Sequence, residues 1–420
     1  MRMNVRVAVL LVATAAVLAV DTREEHRNID TGCRTAADCS QNGECDGSGR
    51  CACDPAWRGP RCSSLNVRPM RPDAGLNIST TVGGSWGGTV NRGDDGLWHM
   101  HVAQFVGLCG FNQWATNSRI VHAVADAPDG RYEVADEAVP VWSHNPAVTR
   151  APTGEWVMTW VQNRSVDAAT VAAQCDADGN IIRNSSVTVL PLQQHNFMAV
   201  AKNPGGPWSS PIPLDSVFDG AVAPFLVQNK YPNRNTNLVM SIQADGSMVG
   251  LWRRCCSPPP ALQPPGGGGA SVVFSVRAPD WRNVSTWRAS SEPILPALHA
   301  NGYEDPHVWR DAKRKGVFHA IFHGMIGGWH KPEFNNTQVG THAYSADGGR
   351  TWVDTGVAFN LTVAYSDGRE PATFIQRERP HLVLNSRGEP THLVSGVTWS
   401  LTPTLQTSTI VQPLGVDELA

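Results

Sequence analysis

The sequence predicts a mainly β chain: a five-bladed β-propeller preceded by a small disulfide-rich module. Three observations carry that prediction. One phrase, a short strand, a Gly turn and an apolar strand, occurs five times. A second echo, a strand, a turn and an aromatic, follows it in four of the five copies. Six of the ten cysteines crowd between Cys33 and Cys62. Sheet units recurring about every 60–90 residues argue for a radial array of blades. Such an array offers one obvious place for chemistry, the axis, where the first strand of every blade begins.

The chain opens with two arginines in its first six residues, followed by an unbroken small and apolar run, Val7–Val20, that Asp21 ends. A charged start, a short apolar middle and a small-residue exit make a secretory signal over residues 1–19, cleaved after Ala19. The run falls short of the roughly 20 residues a spanning helix needs. The expected product is therefore secreted and extracellular, with no membrane attachment after signal removal; an uncleaved leader would anchor it. Six Asn-X-Ser/Thr sequons, at Asn77, Asn163, Asn184, Asn283, Asn335 and Asn360, fit a glycoprotein. The net charge is −3 with both signs interspersed, which argues against a nucleic-acid partner or a membrane-surface patch.

The six clustered cysteines are Cys33, Cys39, Cys45, Cys51, Cys53 and Cys62. So short a segment cannot bury enough apolar surface to fold unaided, so disulfides must staple it. A zinc cluster is the alternative reading, and spacing alone leaves 15 connectivities open. The phrases Cys39-Ser-Gln-Asn-Gly-Glu-Cys45 and Cys51-Ala-Cys53-Asp-Pro-Ala-Trp-Arg-Gly-Pro-Arg-Cys62 resemble an EGF-like domain over residues 29–63. That resemblance implies Cys33–Cys45, Cys39–Cys51 and Cys53–Cys62. Only Asp30 precedes the first cysteine, without the acidic cluster of calcium-binding members, so no calcium is expected. The module is expected to act as a spacer or as a contact surface for an extracellular protein partner. Cys109, Cys175, Cys255 and Cys256 are even in number and should pair, with partners that are not readable.

The propeller is expected over residues 72–420. Its first strands read Gly87-Gly-Thr-Val, Asn145-Pro-Ala-Val, Asn237-Leu-Val-Met, Asp305-Pro-His-Val and Arg379-Pro-His-Leu. Its second strands follow Gly96, Gly154, Gly246, Gly316 and Gly388. Third strands with their turns run from His122, Ala199, Ser275 and His342 to Tyr132, Trp208, Trp281 and Trp352. The fifth blade is short, and a segment around Asn77–Val82 should supply its outer strand and close the ring. Helix content should be low, because no stretch holds a long amphipathic helical period. Ser257–Gly269, rich in Pro and Gly, reads as a surface loop. Ser345-x-Asp347-x-Gly349-x-Thr351-Trp352 resembles the Asp-box of sialidases, a structural hairpin in that family; with one copy and no arginine triad, it supports a propeller and not a sialidase.

Trp114-Ala-Thr-Asn-Ser-Arg-Ile-Val-His-Ala-Val, Ser143-His-Asn-Pro-Ala-Val, Glu304-Asp-Pro-His-Val-Trp-Arg-Asp and Arg377-Glu-Arg-Pro-His-Leu resemble the five-bladed glycoside hydrolases of the family 43, 32 and 62 type, as an uncharacterised branch. That resemblance implies two carboxyl groups across a sugar bond, about 6.5–9.5 Å apart for inversion and about 5–5.5 Å for retention. The resembling families place their base, an Asp, at the opening of the first blade. Here that opening reads Ser85-Trp-Gly-Gly, and carboxylates open only the fourth blade, Glu304 and Asp305, and the fifth, Glu378.

Two readings follow for a secreted carbohydrate-active protein. As a glycoside hydrolase, Glu378 pairs with Glu304 or Asp305, Arg379 holds one of them ionised, and His144 or His307 assists. As a non-catalytic glycan-binding or adhesion protein, Trp86, Asn145, Glu304, Asp305 and Arg379 hold a sugar without cleaving it. Glu304 and Glu378 are otherwise salt-bridge partners of Arg377 or Arg379 that tie two blades together. A purely structural extracellular scaffold is the third class. No cofactor is expected. His99 and His101 share a strand face, but no third ligand has recognisable spacing, so no metal is expected. His307 and His381 follow Pro at matching places, which also suits a repeated packing role. Asp94, Asp95 and Asp311 should sit solvated in or beside turns.

Overall fold

A computed structural model describes residues 32–76, 84–163, 174–176, 182, 194–219, 235–254, 271–295, 302–325, 338–399 and 407–416. The leader, Asn77–Val82, Ser257–Gly269, the sequons at Asn77, Asn184 and Asn335, and Cys255 and Cys256 lie outside them.

Five four-stranded antiparallel sheets form the blades. Their inner strands are Ser85–Arg92, Ser143–Arg150, Asn235–Ile242, Tyr303–Arg310 and Gln376–Leu384. Their second strands are Trp98–Phe105, Trp156–Asn163, Met248–Arg254, Phe318–Met325 and Pro390–Thr398. These second strands lie between neighbours and are buried on both faces, which is why they read as near-continuous apolar runs. In each turn between the two, the glycine the repeat singled out, Gly96, Gly154, Gly246, Gly316 or Gly388, has φ between 78° and 100°, the left-handed region where a Cβ is costly.

Third strands run over Ser118–Ala125, Gln194–Ala201, Val272–Ala278, Gln338–Ser345 and Thr407–Pro413. The first four are where the echo placed them. Glu133–Val139, Ile212–Pro213, Arg288–Pro293 and Val353–Phe359 are the outer strands of blades one to four. The outer strand of blade five is Gly75–Leu76, paired with Thr409 and Ile410. The ring therefore closes through a strand from the start of the propeller, just ahead of the expected segment. Helix among the described residues is confined to short pieces such as Trp114–Asn117 and Asp215–Asp219.

Apolar faces meet between blades. Val157, Met198, Met240, Trp252 and Phe274 fill the seam of blades two and three; Val239, Leu251, Val308, Phe318 and Phe322 fill that of three and four. Burying such side chains contributes about 1.5–3 kcal/mol each.

The cysteine-rich module carries Cys33–Cys45, Cys39–Cys51 and Cys53–Cys62, the pairing the resemblance implied. It is no separate spacer, because residues Cys33–Ala420 form one compact unit. Cys39, Ala56, Trp57 and Leu65 share one core with Trp309, Phe359, Leu382 and Leu393 of blades four and five. Arg314 bonds Glu44 (2.8 Å), Asp54 (3.0 Å) and Asp311 (3.2 Å). Asp311 is thus not solvated as expected: its side chain is 9% exposed. Burial works against its charge, but His319 and the amides of Arg314 and Lys313 bring its pKa down to about 2. A fourth disulfide, Cys109–Cys175, joins equivalent connections of blades one and two.

Asp347 accepts from the Arg350 and Thr351 amides at 2.9 Å each and Trp352 is buried, as the Asp-box pattern anticipates.

Candidate active site

Every inner strand slips register at the same place: Trp86/Thr89, His144/Ala147, Thr236/Val239, Glu304/His307 and Glu378/His381. Inside each bulge a residue at the same place adopts a left-handed backbone: Gly87 (63°, followed by Gly88 at 119°), Asn145 (54°), Asn237 (59°), Asp305 (52°) and Arg379 (55°). Gly, Asn and Asp tolerate that region, and Arg does so only under compulsion from its surroundings.

Four of the five side chains link into a hydrogen-bonded chain. Asn145 Nδ2 donates to Asn237 Oδ1 (2.7 Å), and Asn237 Nδ2 donates to Asp305 Oδ1 (2.6 Å). Arg379 Nη1 donates to Asp305 Oδ1 (3.1 Å), and its backbone amide donates to Oδ2 (3.3 Å). The fifth member is glycine for a steric reason: a Cβ on Gly87 would stand 2.6 Å from Arg379 Cβ. The space a first-blade side chain would need therefore belongs to Arg379.

The residues one step earlier are Trp86, His144, Thr236, Glu304 and Glu378. Glu304 is 8% exposed. Its Oε1 accepts from Arg253 Nη1 at 2.6 Å, while its Oε2 has no hydrogen-bond partner among the described residues. Burial pushes the Glu304 carboxyl up to about 7, with Arg253 opposing and Asp305 reinforcing the rise. Glu378 is 5% exposed, with its Oε1 3.8 Å from His323 Nε2. Burial, and then the negative charge of Asp305 and Glu304, holds it well above the usual carboxylate range. Asp305, His323 and Glu378 each bring one donor atom within 4.8 Å of the others, so these three could hold a metal ion.

His144 is buried beside Trp114, rings 5.2 Å apart, and bonds Ser118 Oγ through Nδ1 at 2.8 Å. Burial and then Arg379 hold its pKa well below the ordinary value, so the ring is neutral. Trp86 is 1% exposed, its ring 4.3 Å from that of Phe111. His307 lies further along its strand, past the bulge, against Trp309 (5.6 Å) and His381 (4.7 Å). Glu304, Asp305, Glu378, Asn145 and Arg379 thus come together at the axis, His144 and Trp86 flank them, and His307 sits a layer away.

Sequence reasoning missed Arg253, the axial place of His323 beside Glu378 and the linking role of Asn237. The signal available was position: Arg253 and His323 lie at the end of a second strand, level with an inner strand's opening. His99 and His101 bond protein groups: His99 Nδ1 lies 2.8 Å from His122 Nε2, and His101 Nε2 lies 2.8 Å from the Pro204 carbonyl. Of the described sequons, Asn283 and Asn360 are exposed and Asn163 is 6% exposed.

Residues 36–64 match the model of a Teneurin-like EGF domain. No curated protein matches the chain. Among solved structures, the catalytic domain of a Coprinopsis cinerea GH62 α-L-arabinofuranosidase superposes with a TM-score of 0.52 at 9% identity, over 84% of this chain and 97% of that one. Zg3597, a family 117 glycoside hydrolase of Zobellia galactanivorans, gives 0.51 at 10% identity over 86% and 91%. A GH62 hydrolase in complex with xylotriose gives 0.51 at 9% identity over 83% and 97%. At such identities the likeness is one of fold: this chain is an EGF-like module joined to a five-bladed β-propeller of the kind those glycoside hydrolases share.

Proposed function

We propose that the chain is a secreted glycoside hydrolase that binds and cleaves an extracellular glycan at the propeller axis. The observation that supports this most is the pair Glu304 and Glu378, buried on adjacent blades in unlike surroundings. Glu378, which among the described residues has His323 Nε2 at 3.8 Å as its ion-pair neighbour, keeps its proton and serves as general acid toward the leaving oxygen. Glu304, held by Arg253, is the carboxylate that activates water or attacks the sugar. Asp305, bonded by Asn237 and Arg379, orients the site and is not a reacting group. Glu304 Oε2, Asn145 Oδ1 and Arg379 Nε, buried and without a partner among the described residues, are suited to the hydroxyl groups of a bound sugar.

The test is reducing-sugar release by the disulfide-intact protein on a panel of plant, algal and microbial polysaccharides, beside Glu304→Gln and Glu378→Gln. A fall of about 10²–10⁴-fold in either variant, with the fold intact, is expected. A second reading, glycan binding without cleavage, is favoured by the engagement of Asp305 with Arg379, which leaves one carboxyl fewer for chemistry. No release on any substrate with glycan binding retained would select it.

A further inference from the structure

Two histidine relays lie away from the axis, one in blade one and one in blade four. In blade one, Asp95 Oδ1 is 3.0 Å from His99 Nε2, His99 Nδ1 is 2.8 Å from His122 Nε2, and His122 Nδ1 is 2.9 Å from Asp136 Oδ2. Three hydrogen bonds span four ring nitrogens, and each needs one hydrogen. Both ends are carboxylates, which only accept when ionised. Two neutral imidazoles supply two hydrogens, so one nitrogen lone pair would face either another lone pair or a carboxylate. We propose that this relay binds one additional proton, shared by His99 and His122 as an imidazole–imidazolium pair between Asp95 and Asp136.

The surroundings agree. The two rings are stacked 5.1 Å apart and buried, while Asp95 and Asp136 are 51% and 46% exposed, so the proton has a solvent route at both ends. The bond to His99 holds Asp95 below its ordinary pKa. His101, stacked on His122, is driven down to about 3 by burial and stays neutral. From blade two the relay meets the Trp156 ring and Gly205. The cation over Trp156, Arg150, is bonded to Asp94 at 2.5 Å; Lys202 is exposed at the head of the Gly205 loop.

Blade four supplies the contrast. Asp311, His319 and His342 repeat the arrangement, but the far end is Thr355 Oγ1, 2.7 Å from His342 Nδ1. A hydroxyl can donate as well as accept, and Thr355 Oγ1 also lies 3.1 Å from the His342 carbonyl, so two neutral imidazoles suffice there when its one hydrogen goes to Nδ1.

Long-range ¹H–¹⁵N spectra of the histidine-labelled full chain between pH 5 and 9 test this. Three protonated ring nitrogens on His99 and His122 at pH 6.5 are expected. Asp136→Asn, whose amide can donate to His122, should return the pair to two protonated nitrogens at pH 7. Two neutral rings in the parent protein at pH 6.5, a spectrum that needs no variant, would overturn the proposal. So would a third proton that persists in a folded Asp136→Asn protein.

Discussion

Arg379 and Asp305 meet at 3.1 Å across the seam of blades five and four, both nearly inaccessible and both with left-handed backbone. The Arg379 side chain fills the space that a Cβ at the first blade's opening would need, which is why that position is Gly87. Asp305→Asn leaves the Arg379 guanidinium buried without its counter-charge and should cost about 3–5 kcal/mol. Denaturant midpoints measure it, and a loss below about 1 kcal/mol would show the pair to be dispensable.

Gly87→Ala adds a Cβ 2.6 Å from Arg379 Cβ at a φ of 63°. It should destabilise by about 1–3 kcal/mol. An unchanged melting temperature would mean that Arg379 can leave the axis freely.

The five-fold repeat, the turn glycines and the third-strand aromatics were legible because each rests on local backbone chemistry repeated in the chain. The axial openings were legible as positions but not as partners. Glu304 and Glu378 could be named from blade phase alone, whereas Arg253, 51 residues before Glu304 and in another blade, could not. Asp311 misled because a turn Asp is usually solvated; here Arg314 and the EGF-like module cover it, a contact between segments some 260 residues apart. Cys109–Cys175 likewise required the placement of two blades.

The weld between module and propeller should be energetic as well as geometric. Arg314→Ala removes bonds to Glu44, Asp54 and Asp311, at about 1.5–3 kcal/mol for charged hydrogen bonds. Calorimetry of the parent protein should show module and propeller melting in one transition. A separate early transition for the module would contradict the shared core of Trp57 and Trp309.

Removing Cys109–Cys175 opens a loop spanning 66 residues. By loop-closure entropy, Cys109→Ser with Cys175→Ser should cost about 4 kcal/mol. A cost near zero would mean that blades one and two hold those connections without the bridge.

Stability should peak at about pH 6.5. His144, His307 and His381 sit below their ordinary 6.5, each through burial first, so the unfolded chain takes up their protons first and stability falls as pH drops below that value. Glu304 and Glu378 sit above their ordinary 4.5, so their contribution is largest at low pH and is lost as pH rises through the folded values, about 7 for Glu304. Denaturation midpoints across pH 4–9 check both limbs; a flat profile would contradict them.

The central claim is that the axis holds two glutamates in unlike protonation states, and carboxyl ¹³C NMR of glutamate-labelled protein measures this directly. Two signals that do not titrate near pH 4.5 are expected. The one absent in Glu304→Gln should titrate at about pH 7, and the one absent in Glu378→Gln should titrate well above the ordinary carboxylate range, through burial first. If every glutamate loses its proton between pH 4 and 5, the axis has no acid to give a leaving oxygen, and hydrolysis by this pair is contradicted.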